Sequence, residues 1–130
     1  MHATRAYARA SQETASKERL MVLLFETALR HMRTAATMLE HPAPAQLPEA
    51  LKLLTKANDI VTELASTLDA RQAPELAQSL GELYRFVSER LAHAGVFRDA
   101  KAANDAATAF APIVEGFQAA VAAMTSQATP

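Results

Sequence analysis

The sequence contains no cysteine at all and only three glycines among its 130 residues. Without cysteine there is neither a disulfide framework nor a thiolate metal site, so side-chain packing alone must hold the fold. That absence fits a reducing compartment. So few glycines leave no glycine-rich loop to cradle a phosphate. An excess of charge is missing too: 13 basic residues against 14 acidic ones give a formal net charge of −1. Such a balance produces no long-range field to attract DNA, RNA or an anionic membrane, so nucleic acid is not an expected partner. Long hydrophobic runs are absent as well. The longest, Leu20 to Phe25, falls far short of the ~20 residues needed to cross a bilayer. Met1 to Ala10 carries Arg5 and Arg9 and no apolar stretch that could serve as a signal-peptide core. The expectation is a cytoplasmic protein without membrane insertion.

What is present is alanine and leucine. Half of the residues are hydrophobic and 21% are charged, the balance of a folded chain rather than a disordered one. The length suits one domain, residues 1–130, with a core of its own. Alanine is the best helix former, so stretches free of glycine and proline are expected to be helical. A first helix is expected from Thr14-Ala15-Ser16, where a hydroxyl can cap the open amides, to about Glu40. Met21, Phe25, Ala28, Met32, Ala35 and Leu39 form its apolar stripe. His41 to Pro48 reads as a loop, with Pro48 in the first turn of a second helix. There Ala50, Leu54, Ala57, Val61, Leu64 and Leu68 repeat the pattern, and Leu53 and Ile60 widen it.

Asp69 to Ala73 is a polar break, after which Pro74-Glu75 starts a third helix through Leu76, Leu80, Leu83, Val87 and Leu91. Gly95 is expected to end it. Asp99 is placed to cap a fourth helix through Ala103, Ala106, Phe110, Ile113, Phe117, Ala120 and Met124, with a kink or break at Pro112. Residues 1–13 are expected to be a mobile N-terminal segment and 125–130 a frayed tail. Four helices joined by short loops imply an all-α antiparallel four-helix bundle.

Catalytic chemistry finds no support in the pattern. His2, His31, His41 and His93 belong to no Glu-x-x-His or His-Glu-x-x-His spacing, and the stripes carry no charge that a metal could use. No catalytic, metal-binding or cofactor-binding residue is therefore assigned, and no enzyme is expected. The notable feature is a surplus of apolar surface. Leu20 to Phe25 is apolar all the way round its helix, and the second helix has Leu53 and Ile60 beside its main row. Such faces are either covered by neighbouring helices or form a groove for a partner helix. Periodicity alone does not separate these readings.

Three ordered blocks separate them. The first is Tyr7, Thr14-Ala15-Ser16, Leu20, Leu23-Leu24-Phe25 and Ala28-Leu29-Arg30. The second is Lys56-Ala57-Asn58-Asp59-Ile60-Val61 with Glu63-Leu64 and Leu68-Asp69. The third is Leu80-Gly81, Leu83-Tyr84, Phe86, Arg90-Leu91, Ala94 and Asp99. In this order and spacing they resemble the flagellar secretion chaperone family, FliS. The sequence departs from the family pattern at Lys17, which stands where a proline is usual, and at Phe117, which stands for a tryptophan. Gln12, Gly95 and Phe25-Glu26-Thr27 are further departures.

The resemblance implies a cytosolic chaperone that binds the disordered C-terminal segment of flagellin, prevents premature polymerisation and presents it to the flagellar type III export gate. It also implies a client groove on the second and third helices, expected at Leu53, Ala57, Ile60, Val61, Leu64, Leu83, Tyr84, Val87 and Leu91. Tyr7 would lie on a segment able to fold over the body of the protein. Two other classes stay open: a bundle that buries its extra apolar surface in a homodimer, and a small helical enzyme.

Overall fold

A computed structural model describes residues 2–41 and 43–128. The chain forms α1 (His2–Glu40), α2 (Leu47–Ser66), α3 (Pro74–Phe97) and α4 (Ala100–Ala128), and no strand appears among the described residues. Each helix packs on its two neighbours in a ring: α1 on α2 and α4, and α3 on α2 and α4. This is the antiparallel four-helix bundle that the sequence implies.

The core has two halves. At one end lie rings: Phe25 on α1 meets Phe110 at 5.8 Å and Phe117 at 4.9 Å between centroids, and Tyr84 on α3 meets Phe110 at 6.4 Å. Towards the loop joining α1 to α2 the core is mostly alanine: Ala35, Ala36, Ala50, Ala94, Ala102, Ala103, Ala106 and Ala107 are all buried. Small side chains let helix backbones approach closely, and each large ring removes 150–250 Å² from water, roughly. Among the described residues no polar or charged residue is buried. Register is set instead at the rims. Gln118 Nε2 donates to Glu26 Oε1 at 2.9 Å and Asn104 Nδ2 donates to Glu40 Oε1 at 3.3 Å, both between α4 and α1.

Helix boundaries follow the expected signals where a specific residue acts. Pro48 lies in the first turn of α2 and Pro74 in that of α3. Asp99 Oδ1 accepts from the amides of Lys101 at 2.9 Å and Ala102 at 3.3 Å, which makes it the cap of α4. Asp69 Oδ1 accepts from the Arg71 amide at 2.9 Å and so builds the turn between α2 and α3.

Three expectations need correction. The first helix does not begin at Thr14: it begins at His2, and the Thr14 hydroxyl donates to the Ala10 carbonyl at 3.0 Å as an interior residue. Alanine at positions 3, 6, 8, 10 and 15, with no glycine or proline, lets a helix already nucleated in the bundle propagate outward. The described part of segment 1–13 is helical, and so is the chain from 125 to Ala128; Met1, Thr129 and Pro130 lie outside the described residues. Gly95 does not end α3, which continues to Phe97 and stops at Arg98 in the left-handed region (φ 54°). The Asp99 amide donating to the Ala94 carbonyl at 3.1 Å closes that end. Finally, α4 passes Pro112 without a break. Pro112 and Thr108 both face solvent, so water can satisfy the Thr108 carbonyl that proline leaves without a donor.

One helix, over Ala100–Ser126, is long and apolar enough by length and composition to cross a membrane, with mean hydropathy 1.3. Its alanines give that value, and Phe110 and Val114 on it belong to the bundle core.

Candidate functional site

Leu20, Leu23, Leu76 and Phe86 are exposed singly, and two concave places carry apolar lining. The first is a crevice of about 340 Å³ between α2 and α3, walled by Leu51, Leu54, Thr55 and Asn58 on one side and Leu91, Ala92, Gly95 and Val96 on the other. Leu54 and Leu91 are buried and form its floor. Gly95 keeps that floor accessible, since a Cβ there would sit 3.9 Å from Leu54 Cδ1 and 4.0 Å from Leu51 Cδ2. At the rim, Val96 is 73% exposed; the next residue, Phe97, outside the crevice, is 68% exposed. The Phe97 ring stacks on His93 at 4.6 Å, and His93 Nε2 lies 3.5 Å from Asp99 Oδ2. One polar contact joins α3 to α2 at the end of the crevice: the Ser88 hydroxyl donates to Asn58 Oδ1 at 2.6 Å.

The second place is where α1 outruns its neighbours. Continuing the register of the Glu26–Gln118 and Glu40–Asn104 pairs brings the end of α4, Ala128, level with Ser16. The first turns of α1 therefore extend past α4. Tyr7, Ala10, Thr14 and Ala15 there face Val121, Met124 and Thr125 across a cleft of about 460 Å³, and Tyr7 is 77% exposed.

The residues expected to line a groove do not share one surface. Leu53, Ala57, Val61, Leu64, Tyr84, Val87 and Leu91 are buried in the core. Of these, Leu91 also forms the crevice floor. Ile60 is partly open and packs against the edge of the core, and Leu83 is partly open. Ile60 shares its side of α2 with Glu49 and Lys56, whose charges act on His31 of α1. Leu83 shares a side of α3 with Phe86 one turn on and Arg90 two turns on, on the flank turned to α4. The two therefore lie on opposite flanks of the α2–α3 pair. The cause is simple: a stripe at helical spacing finds the inward face, and the crevice is walled by residues one step off it. Leu51, Thr55, Asn58, Ala92, Gly95 and Val96 were missed for that reason. The visible signal was Val96-Phe97, two apolar residues that break the polar face at the end of α3.

Two titrations are shifted. His31 is held below its ordinary value of 6.5, first by partial burial and then by the nearby positive charges of Arg30 and Lys56, with Glu49 opposing. Burial pushes the Tyr84 hydroxyl above its ordinary 10.0. Neither group has a nucleophile or a metal site beside it, and no group of three His, Asp or Glu gathers among the described residues.

The crevice thus has an apolar floor and the small residues Ala92 and Gly95 on one wall. Residues 1–124 match the family described as flagellar protein FliS. The chain belongs to that family. Within it, the flagellar secretion chaperone FliSB of Pseudomonas aeruginosa is 28% identical over 121 residues, spanning 90% of this chain and 94% of that protein. With so much of both chains aligned, the FliS family resemblance covers the overhanging start of α1 as well as the bundle.

Proposed function

We propose that this FliS-family protein is a cytosolic flagellar secretion chaperone. It holds the C-terminal segment of flagellin, prevents its premature polymerisation and delivers it to the export gate. The observation that carries the reading is the family match over residues 1–124, together with a relative described as a flagellar secretion chaperone. The α2–α3 crevice supports it physically. A client that folds on binding loses roughly 2–5 kcal/mol to ordering, and each large apolar side chain fully buried contributes about 1.5–3 kcal/mol. Two or three such contacts along the crevice offset the ordering cost. Ala92 and Gly95 let a client helix lie close, and Val96 supplies the rim.

Ile60 and Leu83, on the two flanks, would be reached by a client that wraps the α2–α3 hairpin. The arm carrying Tyr7 is the natural cover for this surface when no client is bound. Thirteen extended residues span about 43 Å, enough to run from the start of the bundle to the Asn58 end of the crevice once the arm unwinds. Deleting residues 1–13 should then change client affinity.

Calorimetry with the C-terminal peptide of the same genome's flagellin tests the reading. The unmutated protein should bind it, and Val96→Asp should abolish binding while the helical circular dichroism signal stays intact, because Val96 is exposed. No binding by the unmutated protein refutes the reading. Concentration-dependent sedimentation without any client would favour a homodimer instead.

A further inference from the structure

The α2–α3 crevice is apolar at its floor, and a purely apolar groove has a weakness. A client helix can slip by one turn and find similar contacts, since its side chains repeat at that interval. The polar pair at the Leu91 end of the crevice answers this. Ser88 Oγ and Asn58 Oδ1 lie 2.6 Å apart. That length suits an O–H donor, which centres near ~2.7–2.8 Å, and is short for an N–H donor at ~2.9–3.0 Å. Ser88 therefore holds the carbonyl side of the Asn58 amide, and Nδ2 points away from it.

Nδ2 has two N–H donors and no partner among the described residues, yet no buried side-chain nitrogen or oxygen there lacks one. The nitrogen is thus open to solvent, on a residue that lines the crevice. The other wall hydroxyl, on Thr55, already donates to the Leu51 carbonyl at 3.1 Å.

We infer that Asn58, oriented by Ser88, is a specificity-determining residue: its Nδ2 donates to one side-chain oxygen (amide, hydroxyl or carboxylate) of the seated segment and so fixes its register. This rests on the reading of the crevice as the client site. A client helix uses its own carbonyls in its ladder, which leaves side-chain oxygens as the acceptors. A register that covers Nδ2 with a methyl group leaves a desolvated donor unpaired, and such a loss costs more than a hydrogen bond gains. One fixed donor in an apolar seam discriminates registers as a lone polar residue does in a coiled coil.

The test is a double-mutant cycle between Asn58→Leu and the client. Each polar side chain of the flagellin C-terminal peptide is replaced in turn, and affinities are measured by calorimetry against both proteins. Asn58→Leu should weaken binding about 10-fold or more. One client position should cost a similar factor with the unmutated protein and almost nothing with Asn58→Leu. Ser88→Ala, which frees the amide to rotate, should give a smaller loss at the same client position. Thr37→Val, on an exposed turn of α1, should change nothing. A merely structural role would weaken all client variants alike. If Asn58→Leu binds as the unmutated protein does, or couples to no client position, this inference fails and the crevice reading stands. If the unmutated protein binds no flagellin peptide, both fail.

Discussion

Replacing Gly95 by alanine should set folding and client binding against each other. None of the glycines has a positive φ, so each helix accepts a Cβ. In a helix interior glycine is roughly 0.5–1 kcal/mol less favourable than alanine. Gly95 lies near the end of α3, so the lower figure applies there. The new methyl would rest at ordinary van der Waals distance, 3.9 Å from Leu54 Cδ1 and 4.0 Å from Leu51 Cδ2. Its burial adds at most about 0.8 kcal/mol. A gain near 1 kcal/mol raises the melting midpoint by about 3–5 °C in a domain of this size.

The same methyl stands on the floor of a crevice of about 340 Å³, where it lifts an approaching client helix away from Leu54 and Leu91. Overfilling a packed contact costs roughly 1–3 kcal/mol, which corresponds to about 5- to 150-fold in affinity. Gly116→Ala is the comparison, because a Cβ there meets nothing within 4 Å. It should raise the midpoint by propensity alone and leave affinity unchanged. Thermal circular dichroism and calorimetry with the flagellin peptide read both effects. A lowered midpoint for Gly95→Ala would refute the helix packing drawn here. A raised midpoint with undiminished affinity would show that the client does not pass over Gly95.

Three further outcomes follow from the core. Phe110→Ala removes a wholly buried ring between Phe25 and Tyr84 and should lower the urea-unfolding free energy by about 3–5 kcal/mol; a loss under about 1 kcal/mol would place the ring outside the core. His31 is held below 6.5 in the folded state, so the unfolded chain takes up the proton first. Stability should therefore be full above that value and fall as pH drops from it through the lowered folded value. His31→Gln should flatten that slope in urea titrations at several pH values. Tyr84 is shifted above 10.0, so the unfolded chain ionises first and stability should fall as pH rises past 10. Tyr84→Phe should remove that loss, as followed by alkaline unfolding.

The bundle was legible because a buried stripe at helical spacing leaves a mark in one dimension. Met32, Val61, Leu64, Val87, Leu91 and Phe110, the largest wholly enclosed side chains, all stand on or beside the expected stripes. Pro48, Pro74 and Asp99 marked boundaries because each acts through its own backbone or side chain. The start of α1 was hidden because alanine favours helix whether or not anything packs on it. Gly95 misled as a terminator: its neighbours need space from it, and Arg98 takes the left-handed conformation instead. The crevice was hidden because its walls depend on how α2 and α3 sit against each other. No single helix records that Asn58 faces Ser88 or that Gly95 faces Leu54.

The placement of apolar area also explains how a holding protein can avoid sticking to itself. Broad exposed patches of leucine and phenylalanine would associate without selectivity. Here the leucines of the crevice floor, Leu54 and Leu91, are 3% and 1% exposed and lie beneath Ala92 and Gly95. A flat surface cannot reach them. A single helix with a narrow apolar row can, provided it enters lengthwise and meets the open amide of Asn58 with an acceptor. On the proposed reading, the crevice uses shape to exclude other surfaces and one polar group to choose among helices. Specificity of this kind needs little exposed grease at the rim, and in this crevice the strongly exposed part is Val96, with Phe97 beside it.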